Sequence, residues 1–533
     1  MDNPNLFRPV VFSPRHFKDP SQQTMSDEVP PKRRLASRQR RWLFPIMAIL
    51  VGMAPVILIE LSLRMAGWRP RVAHHDPFVD FQTIRPLFVL SDDGENYVTA
   101  ANRLEYFQPE SFAATKSPDE FRIVCLGGST VQGRPYSTET SFTTWLELSL
   151  QAADPSKRWE VINCGGVSYA SYRLVPILEE MLRYEPDLIV LATGHNEFLE
   201  DRSYAGIKNL PDSVADAYGR FSRLRISQWA QQLVASASDN DTAKDLRGEP
   251  QDVLATEVDA LLDYQGGLAA YHRDAAWQQS VVKHFGHNLR RMIDIANTAA
   301  VPILLVDLPV NLRDCPPFKS EDTTGISDTE RRRCEQLVAK ARTLFYDNTP
   351  QAIKELELAV GINPQHAGLH YQLALLYFDN QQFEHAKRHF QIAIDQDICP
   401  LRIVTPVRDD LRHTALEAAV PMVPARQRFE TLSPGRIPGD NLLLDHVHPT
   451  IPGHQWIASE IISKLEAMKI VSPRDDWLRT REQNYARHWE TLTPVYFARG
   501  KQRLKGLQLW SEGRAKKIRD QGTRPADPPH SGP

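Results

Sequence analysis

Three short apolar segments, each followed by glycine and polar residues, constrain the fold of this chain more than any other feature. They occupy residues 121–126, 159–163 and 186–192. Residues 138–150 and 174–182 follow the first two segments and have apolar side chains at helical spacing. Apolar runs of this length that alternate with helices are typical of parallel strands covered on both faces. The pattern therefore predicts an α/β fold with a doubly wound parallel sheet, whose strand-end loops meet at one edge.

The loops after these segments carry groups suited to attack on an ester carbonyl. Gly127-Gly128-Ser129-Thr130 follows the first segment, residues 164–168 follow the second, and Gly194-His195-Asn196-Glu197 follows the third. Ser129 can act as a nucleophile, Asn196 offers an amide donor, and the loops offer backbone N–H groups. An acyl-transfer transition state needs such donors around its oxyanion, each worth about 3 kcal/mol. Taken alone, a Gly-Gly-Ser-Thr string is more typical of a turn or a helix cap.

The segment Asp445-His446-Val447-His448 supplies an acid and a base. Asp445 and His448 are three positions apart, so one turn can hold both, with Asp445 orienting the imidazole and His448 accepting the serine proton. His446 and His454 are competing bases, but His446 is at the wrong distance from Asp445 to be oriented by it. A metal site is the alternative, although it needs further ligands, and a serine and an amide are poor ones. We expect no metal and no cofactor.

The order of these residues resembles that of the SGNH (GDSL-type) hydrolase superfamily. Ser129 is similar to the family's nucleophile, Asn196 to its side-chain oxyanion donor, and Asp445 and His448 to the other two members of the triad. The resemblance implies a flavodoxin-like α/β fold and a serine esterase, with the Ser129 N–H as a further oxyanion donor. The Gly-Gly-Ser-Thr and Gly-x-Asn-Glu blocks are more similar to membrane-anchored SGNH proteins of bacteria than to secreted lipases. Several of those proteins are linked to acetyl groups on polysaccharides.

The resemblance covers residues 119–204 and 297–470 and departs from the family pattern in two places. The first block of the family often reads Gly-Asp-Ser, whereas Gly128 stands here in place of the aspartate. At the position of the second block's glycine stands Ser168, while Gly166 comes two residues earlier. The donor at this position is a backbone N–H, which every residue except proline has. Ser168 and Gly166 therefore both remain candidates for this oxyanion donor.

The N-terminal region predicts a membrane anchor. Residues 42–59 carry no charge and residues 61–65 extend the run past Glu60, which makes it long enough to span a bilayer. The basic residues that precede it are Lys32, Arg33, Arg34, Arg38, Arg40 and Arg41. The positive-inside rule places the N-terminus in the cytoplasm and everything after Trp68 on the exoplasmic or periplasmic side. A cleaved signal peptide and a buried core helix are the alternatives.

Charge and cysteine content bear on other classes of function. The formal net charge is −3 and the isoelectric point is about 6.6, so the chain lacks a basic field for nucleic acid. Five cysteines suit neither a metal ribbon nor a dense disulfide scaffold. Cys125 and Cys164 are expected to be buried thiols. An exoplasmic location permits one bridge among Cys315, Cys334 and Cys399, and the absence of any bridge is equally compatible with the sequence.

Two helical insertions interrupt the predicted core. In the second, a pattern recurs after 34 residues: Ala352, Leu356 and Ala359 return as Ala386, Phe390 and Ala393. The spacing resembles the tetratricopeptide helix pair, and an ordinary helical hairpin is the alternative. We expect these repeats to pack on the hydrolase domain, and such repeats commonly bind a protein partner. The loop at 308–320 carries Asn311 and Arg313, and Arg402 follows the repeats; these three are candidate substrate contacts.

The predicted organisation runs from a cytoplasmic tail to a disordered end. Its segments are a basic tail at 1–41, a transmembrane helix at 42–65, a lead-in at 66–118, a first core part at 119–204, a helical insertion at 205–296, a core strand and loop at 297–320, a tetratricopeptide-like insertion at 321–400, a second core part at 401–470, C-terminal helices at 471–518 and a tail at 519–533.

The sequence thus predicts a membrane-anchored serine esterase that acts outside the cytoplasmic membrane on O-acyl esters, with acetylated carbohydrate as the candidate substrate. The same triad would serve an O-acyltransferase. A cell-envelope scaffold with a vestigial site is the alternative from another class, and no nucleic-acid partner is expected.

Overall fold

The computed structural model describes residues 51–52, 54–63, 65, 86–200, 258, 260–263 and 267–511. The chain forms two compact units, one of residues 1–70 with 223–230 and one of residues 71–222 with 231–533. The described residues of the first unit are helical. Among the described residues, no helix is both long and apolar enough to cross a membrane. The predicted tail at 1–41, much of the predicted segment at 42–65, most of the first insertion and the tail at 519–533 lie outside the described residues.

The described part of the second unit contains two sheets. Its strands are β1 (Phe88–Leu90), β2 (Asn96–Thr99), β3 (Ser111–Ala113), β4 (Glu120–Gly127), β5 (Arg158–Gly165), β6 (Leu188–Ala192), β7 (Ile303–Val306) and β8 (Met422–Val423). Strands β1, β2 and β3 form an antiparallel sheet. The other five form a parallel sheet in the order β5-β4-β6-β7-β8. The predicted α/β fold with a parallel sheet is confirmed.

The strand order creates a switch point at β4. The chain passes from β4 to β5 on one side and then to β6 on the other, and open α/β sheets bind ligands outside such a point. Gly127 at the end of β4 is in register with Gly165 of β5 and Ala192 of β6. The loops after these three strands therefore leave the sheet at one level. Strand β8 was not predicted, because a two-residue strand is too short to show a periodic pattern.

Helices cover both faces of the parallel sheet. The helices are α1 (Ser129–Gln132), α2 (Phe142–Ala153), α3 (Ser171–Met181), α4 (Ala275–Thr298), α5 (Asp328–Leu344), α6 (Thr349–Ile362), α7 (Ala367–Asp379), α8 (Phe383–Asp395), α9 (Thr405–Glu417), α10 (Ala425–Leu432), α11 (Ile451–Ala467), α12 (Trp477–Thr491) and α13 (Pro494–Ser511). Successive strand residues point to opposite faces. Val124 and Leu126 of β4 accordingly pack with α3, α4 and α9, whereas Ile123 and Cys125 pack with α2 and α11.

The lead-in to the core is attached to the second strand-end loop. The carboxylate of Glu180 in α3 accepts hydrogen bonds from the backbone N–H groups of Leu87 and Phe88, at 2.7 and 2.9 Å. The Val167 N–H donates to the carbonyl of Tyr106 at 2.8 Å. Residues 86–113 therefore support the loop that carries Ser168, a link that no sequence pattern predicts.

The second insertion consists of two helix pairs, α5 with α6 and α7 with α8, and it packs on the core as expected. Ala352 and Ala386 are fully buried, which allows the close helix crossing expected of small residues. The Tyr371 hydroxyl donates to the Arg313 carbonyl at 2.7 Å. The Lys387 ammonium lies 2.8 Å from the Glu430 carboxylate in α10. The tetratricopeptide identity of the repeats stays a prediction.

The cysteines form no disulfide in this structure. All five are free, with Cys125 and Cys164 buried as predicted. Cys334 lies in α5 with its thiol directed at the carbonyl of Ala359, 3.7 Å away, and Cys399 is buried after α8. The bridge considered among Cys315, Cys334 and Cys399 is therefore absent.

The packing of the insertion on the core can be tested at Phe390. Its side chain is fully buried in the same cluster as the sheet, so Phe390→Ala leaves a cavity that costs about 3–5 kcal/mol of unfolding free energy. Urea unfolding of the full chain measures the change. Tyr346→Ala is the matched control, because Tyr346 is 98% exposed and its loss should change stability by less than about 0.5 kcal/mol. Equal stabilities of the two variants would contradict this packing.

Candidate active site

Ser129 is the first residue of α1 and lies directly beyond the end of β4. Gly128 is the N-cap residue, in an extended conformation. A Cβ at Gly127 would lie 2.2 Å from the Ala192 carbonyl oxygen, and one at Gly128 would lie 2.5 Å from Nδ2 of Asn196. The two glycines therefore allow the loop after β6 to approach the start of α1.

His448 connects Ser129 to Asp445. Its Nε2 lies 2.7 Å from the Ser129 hydroxyl oxygen and its Nδ1 lies 2.6 Å from Oδ2 of Asp445. In the tautomer that fits both contacts, Nδ1–H donates to the carboxylate and Nε2 accepts from the serine hydroxyl. The predicted convergence of these residues is present, although Ser129 and His448 are 319 positions apart. All three side chains are largely buried, which strengthens the polar contacts between them.

The turn at 445–448 keeps Asp445 ionised. Its Oδ1 accepts hydrogen bonds from the N–H groups of Val447 and His448, at 2.9 and 2.8 Å. Burial by itself would raise the pKa of the Asp445 carboxyl. The neighbouring His448 and His446, with the hydrogen bonds from His448, outweigh burial and hold that pKa well below its usual range. The carboxylate is thus available to orient the imidazole at any neutral pH.

The competing histidines do not contact Ser129. Nδ1 of His446 lies 3.6 Å from Oδ1 of Asp445, beyond a hydrogen bond, and its ring packs edge-on against Phe318. Burial lowers the pKa of His446 to about 4. His454 accepts a hydrogen bond from the Phe142 N–H at Nδ1, and burial lowers its pKa to about 3. Both rings are neutral near pH 7. Within the described ranges, no group of three or more residues is arranged to hold a metal ion.

Asn196 lines the same pocket as Ser129 and offers a donor for an oxyanion. Asn196 Nδ2 donates one hydrogen to the Tyr169 carbonyl at 3.0 Å and has a second to offer. The Gly166 N–H is occupied, because it donates to the Gly127 carbonyl at 2.9 Å. In the described part of the chain, the N–H groups of Ser129 and Ser168 have no acceptor. The choice between the two second-loop candidates therefore favours Ser168, which adopts a left-handed conformation at φ 62°.

Two buried polar residues position these loops, although neither has a predicted role. Asn163 at the end of β5 donates to the Val131 carbonyl in α1 at 2.7 Å and to the Thr143 hydroxyl at 2.9 Å. The Glu197 carboxylate accepts from the N–H and the hydroxyl of Ser171, each at 2.9 Å, and so holds the start of α3 to the loop after β6. A polar residue at the end of an apolar strand was the available signal for Asn163.

The candidate substrate contacts turn inward. The Arg402 guanidinium donates to the carbonyls of Asn311, Cys315 and Pro316 and is 1% exposed. The Asn311 amide donates to Asp440, and its own N–H donates to the His446 carbonyl at 3.0 Å. Arg313 pairs with its neighbour Asp314 at 2.7 Å. These contacts fix the loop after β7 against the Asp445 turn. The substrate contacts expected of Asn311, Arg313 and Arg402 stay a prediction.

Comparison with known proteins gives low similarity throughout. No family model and no curated protein matches the sequence. The lipase/acylhydrolase from Enterococcus faecalis is 12% identical, with a TM-score of 0.30 over 67% of this chain and 99% of that one. A GDSL-like lipase from Bacteroides thetaiotaomicron is 11% identical, with a TM-score of 0.28 over 67% and 93%. An acetylxylan esterase from Geobacillus stearothermophilus is 12% identical, with a TM-score of 0.27 over 65% and 94%. TM-scores this low do not place the chain in a family.

The depressed pKa of His454 predicts how stability depends on pH. The pKa falls from 6.5 to about 3 on folding, so the folded state binds this proton less tightly than the unfolded state. The contribution of neutral His454 to the free energy of unfolding is complete above pH 6.5 and declines as the pH falls towards 3. Between pH 6.5 and 4.5, one such group lowers the free energy of unfolding by about 2–3 kcal/mol.

His454→Gln tests this dependence, because glutamine keeps an acceptor for the Phe142 N–H and does not titrate. We expect urea unfolding at pH 6.5 and 4.5 to show a smaller loss of stability in the variant than in the parent, by roughly that amount. His413→Gln is the control, since the His413 side chain is 65% exposed. Identical losses in the parent and His454→Gln would contradict the assigned pKa.

Proposed function

We propose that the protein is a serine ester hydrolase whose nucleophile is Ser129, with His448 as the base and Asp445 as the residue that orients it. The observation that carries this proposal is the position of His448, with one ring nitrogen 2.7 Å from the Ser129 hydroxyl and the other 2.6 Å from the Asp445 carboxylate. A serine hydroxyl is a weak nucleophile until a base removes its proton, and this arrangement supplies the base in reach.

In the first half of the reaction, Oγ of Ser129 forms a bond to the acyl carbon while its proton passes to Nε2 of His448. The carbonyl π electrons move onto the oxygen, and the Ser129 N–H, the Ser168 N–H and the Asn196 amide bind the resulting oxyanion. When the tetrahedral intermediate collapses, the bond to the leaving alkoxide breaks and His448 returns the proton to that oxygen. The product is an acyl ester on Ser129.

In the second half, a water attacks the acyl carbon and His448 takes its proton. The tetrahedral intermediate forms again at the same donors. Its collapse breaks the bond to Oγ of Ser129, which regains a proton from His448, and the carboxylic acid leaves. If a sugar hydroxyl takes the place of water, the same steps give an O-acyltransferase. The two outcomes differ only in the acceptor, so analysis of the products in the presence of an oligosaccharide distinguishes them.

We further propose that the enzyme acts outside the cytoplasmic membrane, anchored by the N-terminal apolar segment, on O-acyl groups such as those of acetylated carbohydrate. The charge-free run at 42–59 and the basic residues at 32–41 support the anchor and its orientation. The helical repeats offer a surface for a protein partner. A scaffold role with a vestigial site has less support, because the contacts among Ser129, His448 and Asp445 are complete.

The triad is tested by replacing its members and measuring hydrolysis of 4-nitrophenyl acetate. Ser129→Ala and His448→Ala should each lower kcat by about 10³-fold or more, because nucleophile and base act as a unit. The same variants should lose labelling by a fluorophosphonate, which reacts with an activated serine. His446→Gln should still be labelled, since His446 does not contact Ser129. Full activity of the Ser129→Ala protein would contradict the proposal that Ser129 is the nucleophile.

The membrane orientation is tested with reporter fusions. A reporter that is active only in the periplasm should be active when fused after residue 75 and inactive when fused after residue 30, because the basic residues at 32–41 stay on the cytoplasmic side. Neutral replacement of the six basic residues should weaken or invert this pattern. An active fusion at residue 30 together with an inactive one at residue 75 would overturn the assignment.

A further inference from the structure

Helix α13 is attached to the core at its two ends. Near its start, the ring of Tyr496 stacks on Tyr136 with ring centroids 5.8 Å apart, and Gly500 lies directly against the same Tyr136 ring. At its end, Trp510 packs against the apolar cluster that contains Leu199. The residues between these two attachments are mostly exposed.

Both attachments lie next to loops of the proposed active site. The Arg134 N–H, two residues before Tyr136, donates to the Ser129 carbonyl at 3.1 Å, and the Leu199 N–H donates to the Asn196 carbonyl at 3.3 Å. Ser129 and Asn196 line one pocket. Helix α13 therefore extends from the loop after β4 towards the loop after β6, along the edge of the sheet at which Ser129 lies.

The exposed part of α13 is basic. The helix has no acidic residue, and its cations are Arg499, Lys501, Arg503 and Lys505. Side chains four positions apart lie on the same side of a helix, so the cations form two rows. All four are exposed, and within the ranges that the structure describes none of them forms an ion pair.

A fifth cation, Arg134, lies near Arg503. Nε of Arg134 donates to the side-chain oxygen of Gln132 at 3.3 Å, and Nη1 of Arg503 donates to the Tyr136 carbonyl at 2.6 Å. Burial, with the charge of Arg503 nearby, lowers the pKa of Arg134 to about 10. Among the described residues no carboxylate pairs with either guanidinium. An anion bound to both would offset their repulsion, because charge-assisted hydrogen bonds to a guanidinium are strong.

We propose that Arg134 and the four cations of α13, together called the basic surface, bind an acidic polysaccharide whose O-acyl groups are the substrate of Ser129. The inference rests on the proposed esterase function and names the substrate class of that site. Carboxylates along such a polymer suit guanidinium and ammonium groups. A polymer held beside the nucleophile presents its esters at a higher local concentration, so the basic surface acts mainly on KM.

An anionic membrane surface is the rival ligand, and it fits the helix less well. Amphipathic helices that lie in the headgroup region bury an apolar face in the membrane. The large apolar residues of α13 are instead turned towards the protein and half-buried, with the exception of Val495, which is 57% exposed. The exposed part of the helix therefore suits a soluble polyanion.

Binding is tested with the full-length Ser129→Ala protein, in which turnover does not interfere. The probes are polygalacturonate and the neutral galactan made by reducing its carboxyl groups, so the two polymers differ in charge alone. We expect polygalacturonate to bind more tightly by on the order of tenfold at low ionic strength, because several exposed ion pairs add. Sodium chloride should remove most of this difference, since it screens exposed charges.

The triple variant Arg499→Gln, Lys501→Gln, Lys505→Gln assigns the preference to α13. In the Ser129→Ala background it should lose most of the difference between the two polymers. With Ser129 present, it should raise KM for O-acetylated polygalacturonate by on the order of tenfold, with a much smaller change in kcat.

A matched control removes the same charge from the second insertion. Arg332, Lys354 and Arg388 are exposed and, in the described part of the chain, form no ion pair. Replacing all three by glutamine should leave the preference for polygalacturonate and its KM as in the parent. An equal loss in both triple variants would show an effect of net charge and would overturn the assignment to α13.

The failure of this inference can be separated from the failure of the proposed function. Equal binding of polygalacturonate and the neutral galactan overturns the inference and leaves the esterase intact, whether or not the variants fold. Binding to phosphatidylglycerol vesicles without binding to polygalacturonate also overturns it, in favour of the membrane surface. A protein that binds polygalacturonate but whose Ser129 is not labelled by a fluorophosphonate removes the esterase and the substrate role of the polymer, and leaves only the binding surface.

Discussion

The close approach of β4 and β6 at their carboxyl ends is the constraint on which the site depends. There is no room for a side chain at Gly127, whose Cβ would lie 2.2 Å from the Ala192 carbonyl oxygen. The absence of a side chain at Gly128 likewise leaves room for the Asn196 amide, because a Cβ there would lie 2.5 Å from Nδ2. The Ser129 N–H, the Ser129 hydroxyl and the Asn196 amide are thereby held at one point of the sheet edge. A side chain at position 128 would displace the Asn196 amide.

The carboxyl edge of the parallel sheet explains how Ser129, His448 and Asp445 can meet although long insertions separate them in the chain. Parallel strands bring their terminal loops together whatever the chain does between them, and the entropic cost of a longer connection grows slowly. The loop after β7 then joins the Asp445 turn through the bond from the Asn311 N–H to the His446 carbonyl. Arg402 closes that loop from the insertion side by binding three of its carbonyls. The second insertion is therefore part of the support of the site.

The strands and the residue pairs that follow from local pattern and residue order could be predicted from the sequence. The strands Glu120–Gly127 and Leu188–Ala192 follow from their apolar runs, and the pairing of Asp445 with His448 follows from a spacing of three residues. The donor in the second loop could not be chosen this way, because the Gly166 N–H is occupied by a carbonyl from another strand. The surroundings of Arg402 could not be predicted either. Its guanidinium donates to three backbone carbonyls and lies 3.7 Å from the Asp397 carboxylate, and no sequence pattern identifies these partners.

Histidine chemistry at this edge is decided by partners as much as by proximity. His195 and His454 each accept a backbone N–H at one nitrogen, and burial keeps both neutral. His446 approaches the Asp445 carboxylate no closer than 3.6 Å and is likewise held neutral. His448 is the ring that combines a carboxylate at 2.6 Å with a hydroxyl at 2.7 Å. A carboxylate at hydrogen-bond distance stabilises the imidazolium that must form during proton transfer. Desolvation without such a partner disfavours that cation, so burial keeps the neighbouring histidines from competing with His448.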